Sequence, residues 1–361
     1  MYGATAGKTS LLDIEGATSN QAICAIHPCK DIDSHFLKYK LDTLYNYLVG
    51  ISSGSARDNL SQTVIQNLII EIPERDEQQA IAAVLSALDD KIELNNRINA
   101  ELEGVAKLLY DYWFVQFDFP NAEGKPYKAS GGKMVYNETL KRAIPEGWAV
   151  KKLCTLGSLK NGINYNPKDI GDTKANIINV RNISQSSIFI NNDDLDVLEL
   201  KGKDIQKYLV DENSIIIARS GIPGATRLIK NYRPNTIYCG FIICLNVADV
   251  RHQNHLYFRL KALERNLSSQ SNGTIMQNVN QQVLNDVDVV VPEGKVLDAF
   301  NATINAFFNK IKNNLQQSAE LASLRDWLLP MLMNGQAVVG RNATGEEPLR
   351  MAAEPGVAYG K

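Results

Sequence analysis

The clearest pattern in the chain is a pair of long stretches in which apolar residues step by alternating fours and threes. In residues 76–113 the seam is Ile81, Leu85, Leu88, Ile92, Asn95, Asn99, Leu102, Ala106, Leu109 and Trp113. In residues 296–333 it is Phe300, Ile304, Phe307, Ile311, Asn314, Ser318, Leu321, Arg325, Leu328 and Leu332. That step is a heptad seam, so each stretch predicts one long helix. Both seams turn polar midway, at Asn95 and at Asn314. A buried polar residue in a helix pair costs stability but fixes register. The matched breaks therefore predict that the helices pack on each other, with Asn95 and Asn314 setting the register.

The second seam is the first displaced by 219 residues. The same displacement lays SGSARDNLSQTVIQNLIIEIP, residues 53–73, on NGTIMQNVNQQVLNDVDVVVP, residues 272–292, without a gap. Gly54 meets Gly273, Asn59 meets Asn278, Gln62 meets Gln281 and Pro73 meets Pro292. One ungapped offset through a polar loop and a long helix marks an internal repeat. Each unit reads as a Gly/Ser/Asn-rich loop, an apolar run stopped by proline (68–73 and 287–292) and a long helix. The apolar runs predict strands. Residues 114–148, rich in Gly, Pro, Lys and Asn, read as a connector. Further strand-like runs lie at 176–180, 214–218 and 238–247. Beyond residue 334 the periodicity is lost, which predicts a flexible tail.

Composition narrows the class. With 361 residues, 44% hydrophobic and 22% charged, this is a folded chain of about two domains. The net charge of −2 argues against a uniformly basic surface. Charge is nonetheless uneven. Arg219, Arg227, Lys230, Arg233, Arg251, Arg259, Lys261 and Arg265 face only Asp249 and Glu264, a local balance of +6. Residues 193–212 carry seven acids against three lysines, a balance of −4. This asymmetry predicts one face towards phosphate and one turned away. Five cysteines without a CxxC read as reduced thiols, which with no apolar leader predicts a cytoplasmic protein. No apolar run approaches the length of a membrane span, so no membrane partner is expected.

The stretch YDYWFVQFDFPNAEGKPYKASGGKMVYNETLKRAIPEGW resembles the central conserved region of the specificity subunit of type I restriction-modification systems. NVRNIS, ENSIIIARSGIPGAT and the segment 272–292 also resemble its target-recognition domain. The resemblance spans residues 1 to about 338. It implies an α+β fold, two target-recognition domains separated by two long antiparallel coiled-coil helices. It also implies a non-catalytic subunit that reads a bipartite double-stranded DNA target and docks methyltransferase and restriction-translocase subunits, without a cofactor. On this reading residues 1–75 belong to the first recognition domain, 76–114 to the first helix and 115–143 to the connector. Residues 144–295 form the second recognition domain, 296–333 the second helix and 334–361 the tail. Set against the repeat, about 75 residues of the first domain have no counterpart here. A truncated gene, a misassigned start and a split subunit all account for that, and an incomplete remnant needing another chain is the alternative function.

Candidate contacts follow from side-chain chemistry. Arg219 and Ser220 close a strand and enter a Gly loop, and arginine suits bidentate contact to guanine. Gln277 and Gln281 suit adenine, although they equally serve to brace the turn. Arg227, Lys230 and Arg233 suit phosphate. Arg181 and Asn182 form a further pair after a strand. GATAGKT, residues 3–9, departs from a phosphate-binding loop in spacing and has no preceding strand, so it reads as a basic turn. Neither Cys24–His27–Cys29 nor His252–His255 has the second ligand pair of a zinc site, so no metal is expected.

Overall fold

Asp33 opens the first regular element. Its carboxylate accepts from the backbone N–H groups of His35 and Phe36 and caps α1 (Ser34–Thr43), which leads into α2 (Tyr45–Ser53). The computed structural model describes residues 6–53, 60–166, 171–200, 205–269, 279–340 and 349–351. Next come the one-turn α3 (Gln62–Gln66), capped by Ser61, and the long α4 (Arg75–Tyr110). The chain divides into two units, residues 1–101 with 310–361 and residues 102–309. Both long helices contribute to each unit, so the division cuts across the boundaries expected from sequence.

The second unit is α+β. After a π-helical turn, Asp111–Val115, come the hairpin β1 (Met134–Asn137) and β2 (Arg142–Pro145), then β3 (Ala149–Lys152), β4 (Gly157–Asn161) and β5 (Thr173–Ile178). The short α5 (Val180–Ser184), β6 (Asp196–Leu200), β7 (Ser214–Ala218), β8 (Thr226–Leu228), β9 (Thr236–Tyr238) and β10 (Ile242–Val247) follow. Then come α6 (Gln253–Ser269), α7 (Gln281–Asn285), β11 (Asp288–Val291) and α8 (Gly294–Met333). One sheet has the order β4-β10-β7-β8 and another β6-β5-β9, while β11 pairs with β3. Ile215, Ile216 and Ile217 of β7 and Ile242, Ile243 and Leu245 of β10 are all buried. That explains why these strands read as continuous apolar runs rather than alternating ones.

The repeat is structural. α3 and α7 occupy equivalent positions, and their caps Ser61 and Asn280 each accept from the backbone N–H three residues on. The units then diverge. β11 is a strand because β3 lies beside it, antiparallel. Residues 68–73, expected to be a strand, form none, and Ile69 is 97% exposed. No strand lies beside them among the described residues, and a strand is stabilised by its pairing. Ile23 and Ile26 are likewise exposed, whereas Ile242 and Leu245 at the equivalent positions are core residues of β10.

Within the first unit, Ile81 and Leu85 of α4 and Leu328 and Leu332 of α8 share a core with Phe36 and Tyr39 of α1. Arg325, a seam position, donates to Asp89 at 2.6 Å, and the Tyr39 hydroxyl donates to the other carboxylate oxygen, also at 2.6 Å. Burial works to raise the Asp89 pKa. The hydrogen bonds from Tyr39 and Arg325 and the charges of Arg325 and Lys38 outweigh it and hold the group below its ordinary range. Asn95 and Asn314, 1% and 2% exposed, meet in the same interface. Asn95 Nδ2 donates to Gln317 Oε1 at 3.0 Å and Ser318 Oγ at 3.2 Å. Asn314 Nδ2 donates to Asn99 Oδ1 at 2.8 Å, while Asn99 Nδ2 has no partner.

In the second unit the helices meet through aromatic rings. Phe114 stands edge-on to Phe300 at 4.8 Å and to His255 at 4.6 Å. Burial pushes the His255 pKa down to about 3, so its ring is a neutral member of the core. Phe308 is buried and Phe307 only partly so, a one-residue departure from the expected seam. The connector is more ordered than its composition implies. Phe117 and Phe119 are buried against Trp148, and Asp118 accepts from Ala129 N–H at 2.7 Å. The tail expectation is corrected for residues 337–339: Ala337 is buried, and β12 (Ala337–Val339) pairs with β13 (Leu349–Met351).

The polar layer gives a stability test. Asn314→Ala orphans the Asn99 carbonyl in a buried seam and is expected to lower stability by about 1–3 kcal/mol. Replacing Asn99 and Asn314 together by Leu removes donor, acceptor and the unpartnered amide, and is expected to restore or exceed wild-type stability. Thermal unfolding reads both; equal losses in the two variants contradict the layer.

Candidate nucleic-acid interface

β7 and β10 run antiparallel with Ala218 opposite Ile242, and Ile243 lies opposite Asn161, the last residue of β4. The loops after β4 and β7 and the turn before β10 therefore emerge at one end of the sheet. Two backbone bonds add further pieces. Arg219 N–H donates to Phe241 O at 2.8 Å, and Val279 N–H donates to Arg219 O at 3.0 Å, which brings the start of α7 to the same place. Gly221, at φ +77°, lies close to Val180 at the start of α5. A left-handed conformation of this kind favours glycine, which is why the Ser-Gly pair turns the chain here.

Three of the predicted residues gather at this end. Arg219 is partly exposed, and its Nη1 donates to Gly240 O at 3.1 Å. Ser220 is next to it and partly exposed. Gln281 is the first residue of α7, also partly exposed. Gln277 lies outside the described residues. Phe241, which sequence reasoning missed, projects from the turn between β9 and β10. The signal available was a Cys-Gly-Phe break inside one apolar run.

Lys230 and Arg233 go to the other end, and Arg181, which follows β5 on the rim side, is held in ion pairs. Lys230 leaves β8 at the opposite end of the sheet, since Leu228 pairs with Ile215 at the start of β7. A five-residue strand separates the two ends by about 16 Å. Lys230 Nζ donates to Gln253 Oε1 at 2.9 Å. Arg233 precedes β9, at the far end of that strand from Gly240, and pairs with Asp193 at 2.6 Å. Arg181 binds Asp194 at 2.9 Å and Asp196 at 2.8 Å.

Two candidates are corrected outright. Asn182 is 2% exposed: its carbonyl accepts from Asn179 N–H and its amide donates to Asp194, so it closes the start of α5. Arg227 is 7% exposed, donates to Ser186 O at 2.6 Å and Thr226 O at 2.8 Å, and lies 3.6 Å from Glu264. Neither side chain is available to a nucleic acid. Among the described residues the acidic and basic stretches meet at one ion pair, Arg233 with Asp193. The acidic stretch supplies Asp193, Asp194 and Asp196 as partners to Arg233 and Arg181. Inside the basic stretch Arg251 pairs with Asp249 and Lys261 with Glu264. Those two acids are already counted in the +6 balance, so only the Arg233–Asp193 pair draws on it.

Loops from several elements thus converge on a rim of arginine, serine, glutamine and phenylalanine. A family model described as the type I restriction modification DNA specificity domain matches residues 1–104 and 145–321. The chain is 30% identical over 334 residues to the type I restriction enzyme MjaIX specificity subunit of Methanocaldococcus jannaschii, covering 88% of this chain and 72% of that protein. It is 24% identical over 347 residues to the HindI specificity subunit of Haemophilus influenzae, covering 81% and 74%. The crystal structure of a type I restriction-modification S subunit from M. genitalium is similar at 16% identity and a TM-score of 0.49, over 84% of this chain and 73% of that one. The chain belongs to the type I restriction-modification specificity-subunit family, whose domain is a DNA specificity domain. Among the described residues no helix is long and apolar enough to cross a membrane.

The two ends of the sheet can be told apart. Arg219→Ala is expected to relax discrimination at one base pair by about 1–3 kcal/mol, and Lys230→Ala to leave it unchanged. Competition binding with singly substituted duplexes reads the difference; equal losses contradict the assignment of the Arg219 end.

Proposed function

We propose that this chain is the non-catalytic DNA-reading subunit of a type I restriction-modification assembly. Its second recognition domain, residues 144–295, reads one half of a bipartite target in double-stranded DNA. The observation that carries this is the convergence of Arg219, Ser220, Phe241 and Gln281 at one sheet end, within the family's specificity domain. Arginine and glutamine can address purine edges in the major groove, while phosphate contacts add affinity without sequence.

The long helices supply the scaffold in this reading. Val105 and Leu108 of α4 and Tyr112 and Val115 of the π-helical turn that follows it are exposed, spaced by three, four and three. That is a second apolar stripe, separate from the buried seam. The 219-residue repeat carries Val105 onto Leu324 and Leu108 onto Trp327, which are also exposed apolar residues of α8. A stripe repeated with the unit suits two copies of one partner, and we assign it to the methyltransferase subunits. The restriction-translocase subunits would join the assembled complex.

The exposed Ile23, Ile26 and Ile69 support a second reading, in which the first recognition domain is completed by further polypeptide that supplies strands beside residues 68–73. One experiment separates these readings. The tagged chain is co-expressed with its methyltransferase subunits, purified, and the host methylome sequenced. Co-purification and a methylated motif with two defined halves are expected; one defined half favours the second reading, and no defined motif overturns both. Leu108→Glu and Trp327→Glu are each expected to reduce the methyltransferase retained, with the thermal midpoint of the chain unchanged.

A further inference from the structure

Phe241 is 65% exposed, yet the turn that carries it is held by several hydrogen bonds. Arg219 N–H donates to its carbonyl at 2.8 Å, and Ile242 N–H closes the turn onto Cys239 O at 2.9 Å. Gly162 N–H donates to Ile242 O at 3.0 Å, and the Arg219 guanidinium holds Gly240 O at 3.1 Å. Two glycines permit this packing. A side chain at Gly240 would overlap Asn164, and one at Gly162 would overlap the carbonyls of Tyr238 and Cys239. The result is a rigid turn that projects one aromatic ring outwards.

A single exposed apolar residue is ordinary. The setting of this one is not. Its backbone is bonded to that of Arg219, next to Ser220, and the loop carrying Asn164 packs on the same turn. Arg219, Ser220 and Gln281 on that rim offer hydrogen bonds, whereas Phe241 is a large apolar side chain left exposed. Among the base edges of the major groove, the thymine C5-methyl is the apolar group that distinguishes a T·A pair. A ring on a fixed turn also loses little conformational entropy when it makes such a contact. We infer that Phe241 is a specificity-determining residue that packs on the methyl group of one thymine in the half-site. Arg219 is then both a base- or phosphate-facing cation and the strut that fixes the turn. This inference rests on the DNA-reading function proposed above.

The test uses the full chain in complex with its methyltransferase subunits and the duplex motif found by methylome sequencing. Each thymine of either strand is replaced in turn by uracil, which removes only the methyl group. At one position wild-type affinity is expected to fall about three- to ten-fold. Phe241→Ala is expected to bind the thymine and uracil duplexes equally at that position, and its methylated motif to become degenerate there. Phe241→Leu keeps an apolar side chain and is expected to retain most of the discrimination. Unchanged thermal unfolding of both variants shows that the turn is folded.

Wild-type complex indifferent to every uracil, or Phe241→Ala discriminating as wild type does, overturns the inference and leaves the DNA-reading function standing. A rise in 2-aminopurine fluorescence at one base step that Phe241→Ala abolishes also overturns it, since the ring is then a wedge between bases. Wild-type complex that binds DNA without sequence preference overturns the function, and the inference with it.

Discussion

The rest of the structure depends on the packing of α4 and α8. In the first unit the two helices bury Ile81 and Leu85 together with Leu328 and Leu332, and Phe36 and Tyr39 of α1 close over them. An apolar seam alone tolerates sliding by a heptad. The layer of Asn95, Asn99 and Asn314, with Arg325 bound to Asp89, does not, because its hydrogen bonds form in one register only. In the second unit Tyr110, Trp113 and Phe114 pack on Phe300, so the helix ends are keyed by ring shape instead. The globular elements hang from these helices. The connector leaves the end of α4, and β11 feeds directly into α8.

The rim proposed to meet DNA is a consequence of strand direction. β7, β10 and β4 bring their loops to one end because they are antiparallel neighbours, and Arg219 ties the β9–β10 turn to the strand it ends. Arg233 is paired with Asp193, and Arg181 with Asp194 and Asp196. Specificity in such a surface rests on a few oriented groups rather than on net charge. That fits a chain whose overall balance is −2.

Local signals were legible in the sequence and non-local ones were not. Heptad spacing placed both long helices to within a few residues, and the repeat placed α3 on α7. The run at 214–218 is β7 itself. Residues 68–73 read as a strand because their composition matches β11, but composition does not report whether a neighbouring strand is present. The strand expected at 176–180 stops at Ile178, since Asn179 and Asn182 turn the chain into α5. Arg227 and Asn182 were read as contacts because their burial depends on Ser186, Glu264 and Asp194, none of them adjacent. Phe241 was hidden inside an apolar run and becomes visible only when Gly162 and Gly240 bring two segments together.

The central claim is that DNA meets the sheet end carrying Arg219, and hydrogen–deuterium exchange tests it most directly. The complete complex with methyltransferase subunits is compared with and without its target duplex. The account predicts new protection in the loops at 162–166, 219–224, 239–241 and 279–281, with none at 230–235. Protection confined to 230–235, or spread evenly over both ends of the sheet, would contradict it.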